Sequence, residues 1–271
     1  MGTAEERWRE ELAAWAIPDE ILAQAPADPW KLPPNLFRAP ETPAEPPDDP
    51  SFRAAREALG GGGTVLDVGV GGGAASLPLA PPATLITGVD ESEDMLEAFT
   101  ATARERGIQT RFFHGRWPDN ARAVPEADVA VCHHAFYNVP DLSAFAMALT
   151  SHARRRVVVE LTARHPVTLT NSLWKRFWDL DRPDGPTAGD AVAVLREAGL
   201  EPDVVQEQRS RRRPVEHAHR VEFLTRRLCL PPERQPEVEE ALARRPEPEE
   251  WEVVTLSWPG RAARPGPGAA G

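Results

Sequence analysis

The stretch that decides the fold is Thr64–Ala75, TVLDVGVGGGAA. A short apolar run ends in an acid and then breaks into alternating glycines. Val65, Leu66 and Val68 show no polar alternation, the pattern of a strand buried on both faces of a parallel sheet. Gly69, Gly71, Gly72 and Gly73 lack a Cβ, so the chain can turn there through positive φ and let a cofactor lie directly on the backbone. Gly60–Gly63, just upstream, reads as a linker. Downstream, residues 86–90 read as a second buried strand that also ends in an acid. Asp90 falls where a carboxylate can take the hydroxyl pair of a ribose, about twenty residues on. Gly69, Gly71 and Ala74 also satisfy the loose dinucleotide fingerprint G-x-G-x-x-A, so these residues suit an adenosyl group or a dinucleotide.

The series Asp67, Gly69, Gly71, Gly73, an acid followed by glycines at every second position, resembles the first motif of the class I S-adenosylmethionine (SAM) dependent methyltransferases. The resemblance continues in GVDESEDML, residues 88–96, and in ADVAVCHHAFYNV, residues 127–139. The three blocks lie in the family's order and cover roughly residues 64–160. An acid two residues before the first glycine, and no second catalytic domain after it, weigh against the dinucleotide reading. The resemblance implies an α/β fold, a doubly wound Rossmann-like sheet of seven strands with an antiparallel last strand, and SAM as the cofactor. It implies contacts from the backbone at Gly69, Gly71 and Gly73, from Asp67 near the methionine end, and from Asp90 on the ribose. Glu91, Met95, Arg116 and Trp117 complete the expected cofactor shell, Met95 also turning toward the core with Leu96 and Phe99. In this family an acid commonly meets the adenine amino group after the third strand. Here HGRWPD, residues 114–119, offers Arg116 and Trp117 instead, so Trp117 either stacks on the ring or packs a loop.

Length and charge bound the rest. The 271 residues suffice for one doubly wound domain with additions. Lysine and arginine number 31 against 42 acids, a net charge of −11, which disfavours general nucleic-acid binding without excluding a local basic site. Cys132 and Cys229 are too far apart to suggest a disulfide framework or a zinc site, so no metal is expected and a reducing cytoplasm fits. The N-terminus is acidic and amphipathic, and no run of about 18 apolar residues occurs, so neither secretion nor a membrane span is expected. High alanine, arginine and proline content suits a GC-rich bacterial genome.

Taken in order, residues 1–50 are expected to form an N-terminal arm. Trp8, Leu12 and Trp15 share one helical face over residues 4–16, Pro18 stops that helix, and a short helix covers 19–24. A proline-rich stretch follows, with Trp30, Leu36 and Phe37 as anchors, either a cap over the substrate pocket or a strap over apolar surface. The main domain, 51–258, starts with a helix at 51–59. After the glycine loop, 77–80 is expected to join a helix cut short by Pro81 and Pro82. Strands are expected at 84–89, 110–113, 127–132, 156–161 and 203 to about 209, and 251–258 fits the antiparallel slot. Ser92 and Thr187 are helix N-caps, and Gly107 and Gly199 helix stops. Two inserts interrupt this plan. The first, about 163–186, is longer than a strand–helix link needs and carries Leu173, Trp174, Phe177 and Leu180 at helical spacing. The second, about 210–248, carries Arg211, Arg212, Arg213, Arg220, Arg226 and Arg227 just after Arg209, a cluster suited to an anionic or phosphate-bearing substrate, to RNA, or simply to a solvated face. Residues 259–271 are expected to be a disordered tail.

The arm and both inserts are expected to converge on the carboxyl edge of the sheet as a covered aromatic pocket for a small or medium organic acceptor. His133 and His134 end the fourth strand at that edge. One of them, His133, is expected near the methionine end, and both are candidate general bases or hydrogen-bonded scaffold. Tyr137, Glu160, His165 and Trp174 are the substrate-pocket candidates. The function expected is methyl transfer by in-line attack on the sulfonium. An RNA or protein methyltransferase, an oxidoreductase and a SAM-binding protein without transferase activity are the alternatives.

Overall fold

The computed structural model describes residues 2–30, 47–210, 217–244 and 250–261. The anchors Leu36 and Phe37, the arginines Arg211, Arg212 and Arg213, and most of the expected tail lie outside them. Three helices lead in: α1 (Ala4–Ala13), α2 (Asp19–Leu22) and α3 (Pro50–Leu59). The main domain then runs β1 (Gly63–Val68), β2 (Ala83–Asp90), α4 (Glu93–Glu105), β3 (Thr110–His114), β4 (Ala127–His133), α5 (Leu142–His152) and β5 (Ala153–Thr162). It continues through α6 (Asn171–Trp178), α7 (Ala188–Glu197), β6 (Asp203–Ser210), α8 (His217–Arg227), α9 (Gln235–Arg244) and β7 (Glu250–Pro259).

The strands form one sheet in the order β3-β2-β1-β4-β5-β7-β6. Every pairing from β3 to β5 is parallel, and only β7 is reversed, antiparallel to both β5 and β6. Alternate residues explain why both faces are covered. Leu66, Val68, Ala130, Cys132, Val157, Val159 and Leu161 join one buried cluster with α5 and α7 side chains. Val65, Val129, Val131 and Val158 face the other way, into a cluster with Phe52 and Leu59 of α3 and Leu96 and Phe99 of α4. The central strands β1, β4 and β5 are thus apolar on both sides, which gives the unbroken apolar runs of the sequence their physical reason, while the edge strands β3 and β6 are largely exposed.

Two expectations change. The helix after the glycine loop is reduced to a single 3-10 turn, Leu77–Leu79. Pro78, Pro81 and Pro82 remove three amide donors within five residues, so no longer helix can propagate there. The N-terminal helix packs on the sheet, but without Trp15 on its face. Trp8 is fully buried in the sheet's first cluster, stacks on Tyr137 at 5.7 Å, and donates its indole N–H to the Val139 carbonyl at 2.8 Å. Trp15 lies beyond the end of α1 and leaves that face, its indole N–H donating to the Gly185 carbonyl at 2.6 Å.

A third apolar cluster sits apart from the sheet. Ile17 and Ile21 come from the N-terminal segment, Leu173 and Trp174 from the first insert, and Val221, Leu224, Leu228, Val238 and Leu242 from the second. The three additions therefore pack against one another. Both inserts begin at the carboxyl ends of their strands, β5 and β6. No helix among the described residues is long and apolar enough to cross a membrane.

Candidate functional site

The glycine loop starts where β1 stops. Gly69, Gly71 and Gly73 take φ values of +73°, +49° and +84°, conformations that a side chain would strain. Their surroundings differ. A Cβ on Gly73 would fall 2.6 Å from Leu77 Cδ1 and 2.8 Å from Phe99, so this glycine serves packing. A Cβ on Gly71 would meet nothing within 4 Å, so this backbone faces open space. Asp90 fixes the loop, one carboxylate oxygen accepting from the Gly71 N–H at 2.9 Å and the other from the Ser92 N–H at 2.9 Å.

Asp67 lies beneath the loop with no solvent exposure. Its Oδ2 accepts from the Ser76 hydroxyl at 2.6 Å, and its Oδ1 has no hydrogen-bond partner. Burial pushes its pKa up to about 7, opposed by the Ser76 hydrogen bond and assisted by the nearby Asp90 charge. A buried carboxylate oxygen left over next to an open glycine backbone fits a cofactor that brings a cationic amino group and a hydroxyl-bearing sugar.

On the side expected to hold adenine, Glu91 and Arg116 are exposed. The His114 ring pairs with the Glu91 carbonyl at 3.1 Å. Met95 is half-buried in the first turn of α4, where its N–H donates to the Ser92 hydroxyl at 3.4 Å. Trp117 is turned away from this face. It is 5% exposed, donates its indole N–H to the Phe145 carbonyl at 3.3 Å, and meets the His152 ring edge-on at 4.9 Å. A large indole gains more in the α5 layer than on an open loop, and Trp117 packs there. Asn120, which carried no signal in the sequence, lies beside Gly115 with both amide atoms buried and unpartnered.

At the ends of β4 and β5 the centre is Glu160, which the register sets opposite His133 on one side and Thr255 on the other. It is 3% exposed. Its Oε2 accepts from the Ser51 hydroxyl at 2.6 Å, and its Oε1 from Arg209 Nη1 at 2.9 Å, with His134 Nε2 at 3.3 Å. Burial alone would raise the Glu160 pKa, but the histidine and Arg209 contacts outweigh it and hold the carboxyl well below the ordinary range. His133 packs edge-on to Phe52 at 6.0 Å, and its pKa falls to about 4 chiefly through burial, so it stays neutral. With His133 uncharged, Arg209 is the cation that keeps Glu160 ionised. His134 differs from its neighbour: its side chain is 53% exposed and its backbone takes φ of +58°. A non-glycine residue in this region is costly, and here the His134 N–H bond to the Glu160 carbonyl at 2.7 Å holds it.

The remaining pocket candidates separate. Tyr137 is buried, donates its hydroxyl to the Thr162 carbonyl at 2.7 Å, and has its pKa pushed up by burial. Trp174 is 2% exposed inside the third cluster and lines no open surface. His165 stacks on Trp15 at 4.7 Å and tilts against Tyr137 at 5.0 Å, linking the cap to the sheet. Burial, then the charge of Arg227, lowers its pKa to about 4. Ser51 and the β6 residue Arg209 complete the Glu160 cluster. Ser51 gave no signal in the sequence because a helix-start serine looks like a cap, and Arg209 was hidden in the arginine-rich run.

A seven-stranded sheet with one reversed strand, a glycine loop after β1 and an acid closing β2 define the class I methyltransferase architecture. Residues 65–155 match the family described as a methyltransferase domain. A ubiquinone biosynthesis O-methyltransferase of Vibrio atlanticus is 35% identical over 81 residues, which is 30% of this chain and 34% of that protein. The matches span less than half the length of these curated relatives. Among solved structures, the YcgJ protein of Bacillus subtilis has 18% identity and a TM-score of 0.52, covering 78% of this chain and 98% of its own. A SAM-dependent methyltransferase of Thiobacillus denitrificans in complex with S-adenosyl-L-homocysteine has 19% identity and a TM-score of 0.50, covering 82% and 95%.

Proposed function

We propose that this protein is a SAM-dependent methyltransferase that methylates a small or medium organic acceptor at an acidic oxygen. The observation that carries the cofactor reading is the open backbone at Gly71, held in a left-handed conformation by Asp90. Gly69 and Gly71 supply a close approach, Asp90 keeps lone pairs for ribose hydroxyls, and the spare oxygen of Asp67 suits the amino group of the methionine end. Glu91, Met95 and Arg116 border the adenine end, and Asn120 is an added candidate there. SAM supplies an activated methyl donor, so the protein's work is alignment, exclusion of water and control of one proton.

The Glu160–His134 pair supports control of that proton. With Nε2–H donating to Glu160, the lone pair of His134 Nδ1 is left to accept a proton from an acceptor hydroxyl as it attacks the methyl group. Glu160, held ionised, favours the imidazolium that results. Buried and neutral, His133 cannot do the same at ordinary pH and is assigned to shaping the pocket wall. The similarity to a ubiquinone biosynthesis O-methyltransferase supports an oxygen nucleophile on a small acceptor. Calorimetric titration with SAM, S-adenosylhomocysteine and NADH tests the first part. Binding of the two adenosyl ligands, weakened at least tenfold by Asp90→Ala, is the expected result, and binding of NADH alone refutes it. For the base, methyl transfer to a panel of phenols should lose its rise with pH in His134→Gln, and an unchanged profile would remove His134 from the chemistry.

A further inference from the structure

Arg182 and Arg227 form an unusual pair. Arg182 belongs to the first insert and Arg227 ends α8 of the second. Both are half-buried, and the charge of Arg182 bears on Arg227. Arg182 lies over the rings of Trp15, at 5.3 Å, and Trp174, at 5.1 Å, and donates to the Trp15 and Ala16 carbonyls. Its Nε is buried and has no partner. Arg227 lies over Trp30 at 4.2 Å and donates to the Pro29 carbonyl at 3.2 Å. Neither guanidinium makes an ion pair with a carboxylate among the described residues, although the charge of Asp28 acts on Arg227. The chain nevertheless has 42 acids for 31 bases.

Two like charges held close and partly out of water cost stability unless an opposite charge joins them. Backbone carbonyls and aromatic faces only partly offset that cost. Ring contacts run from Arg182 through Trp15 to His165, at the start of the insert that follows β5. Arg227 bears electrostatically on His165, which stacks on Trp15, tilts on Tyr137 and follows Glu160 by five residues. Planar guanidinium groups framed by indoles suit an anion carried on an aromatic or apolar body.

We propose that Arg182 and Arg227 bind an anionic group, a carboxylate or a phosphate monoester, on the methyl acceptor. This assigns the substrate class and rests on the methyltransferase reading given above. It also gives the cap a specificity role: a neutral analogue would leave the guanidinium pair uncompensated.

Tryptophan fluorescence of the full chain tests it, because Trp15, Trp30 and Trp174 surround the pair. Benzoate, phenyl phosphate and benzamide are the probes. Saturable quenching by benzoate or phenyl phosphate, at least tenfold tighter than by benzamide, is expected, and whichever anion binds tighter identifies the group. Arg227→Met should weaken that binding about tenfold to a hundredfold, while Arg227→Lys restores part of it. Arg182→Met is the second variant, accepted when its thermal transition stays cooperative. Equal quenching by benzamide, or anion binding unchanged in Arg227→Met, overturns the proposal. Titration of the wild-type protein with S-adenosylhomocysteine keeps the two readings apart. If that ligand binds and the anions do not, only the acceptor assignment falls. Anion binding without it leaves an anion site but ends its role in methyl transfer.

Discussion

Replacing Asp67 by asparagine should remove a pH-dependent loss of stability. Asp67 has no exposure, and one of its oxygens lacks a partner. Burial, opposed by Ser76 and assisted by Asp90, raises its pKa from 3.8 to about 7. The folded protein thus keeps this proton to a higher pH than the unfolded chain does. Its contribution to stability is fully present below pH 3.8 and is lost as pH rises through about 7. The loss amounts to about 1.4 kcal/mol per pH unit at its steepest, and about 4 kcal/mol in total as an order of magnitude. His133 and His165 act in the opposite sense. Their pKa values, depressed to about 4, reduce stability as pH falls below 6.5. The raw profile of the wild type therefore does not isolate Asp67, but its difference from Asp67→Asn does. Urea unfolding followed by tryptophan fluorescence, without cofactor, would measure both proteins from pH 4 to pH 8. Asp67→Asn should gain on the wild type by about 4 kcal/mol across that range, most steeply between pH 5 and 7. A difference that stays constant within about 1 kcal/mol would show that the folded carboxyl titrates normally, and the account of its burial would fail.

Two further perturbations separate cofactor binding from folding around the same sheet edge. Gly71→Ala meets open space, so it should cost only about 1 kcal/mol for its left-handed backbone yet weaken S-adenosylhomocysteine binding at least tenfold by calorimetry. Gly73→Ala puts a methyl group 2.6 Å from Leu77 and should instead lower the thermal midpoint by several degrees, a loss of about 2 kcal/mol or more. The reverse ranking would place the open face at the wrong glycine. Glu160→Gln takes one of three carboxylate partners from Arg209, which keeps Glu207 and Asp49, and removes the anionic anchor of His134, so urea unfolding should show a loss of about 1–3 kcal/mol. A loss below about 1 kcal/mol would mean that the cluster contributes little to the fold.

How much was legible in the sequence depends on the range of the forces involved. Val65 to Val68 and Ile86 to Asp90 are contiguous apolar runs ending in acids, and such runs are buried wherever the sheet places them. The glycine loop, the Ser92 and Thr187 caps and the Gly107 and Gly199 stops are local backbone chemistry and could be read directly. The side chains expected around the cofactor and substrate were harder. Trp117, Tyr137 and Trp174 are each amphipathic enough for a pocket wall or a core, and only their neighbours decide between the two.

By itself, then, the sequence determined the order of strands and helices, the cofactor loop, and the acids Asp67 and Asp90 that close β1 and β2. Only the tertiary structure decided that Ser51, His134 and Arg209 meet on Glu160, and that Arg182 and Arg227 approach each other in the cap. These contacts join residues from 26 to 109 positions apart for Glu160 alone, counted from His134 and Ser51. Periodicity and capping carry no information over such separations, because those contacts are fixed by strand register and by packing between distant segments.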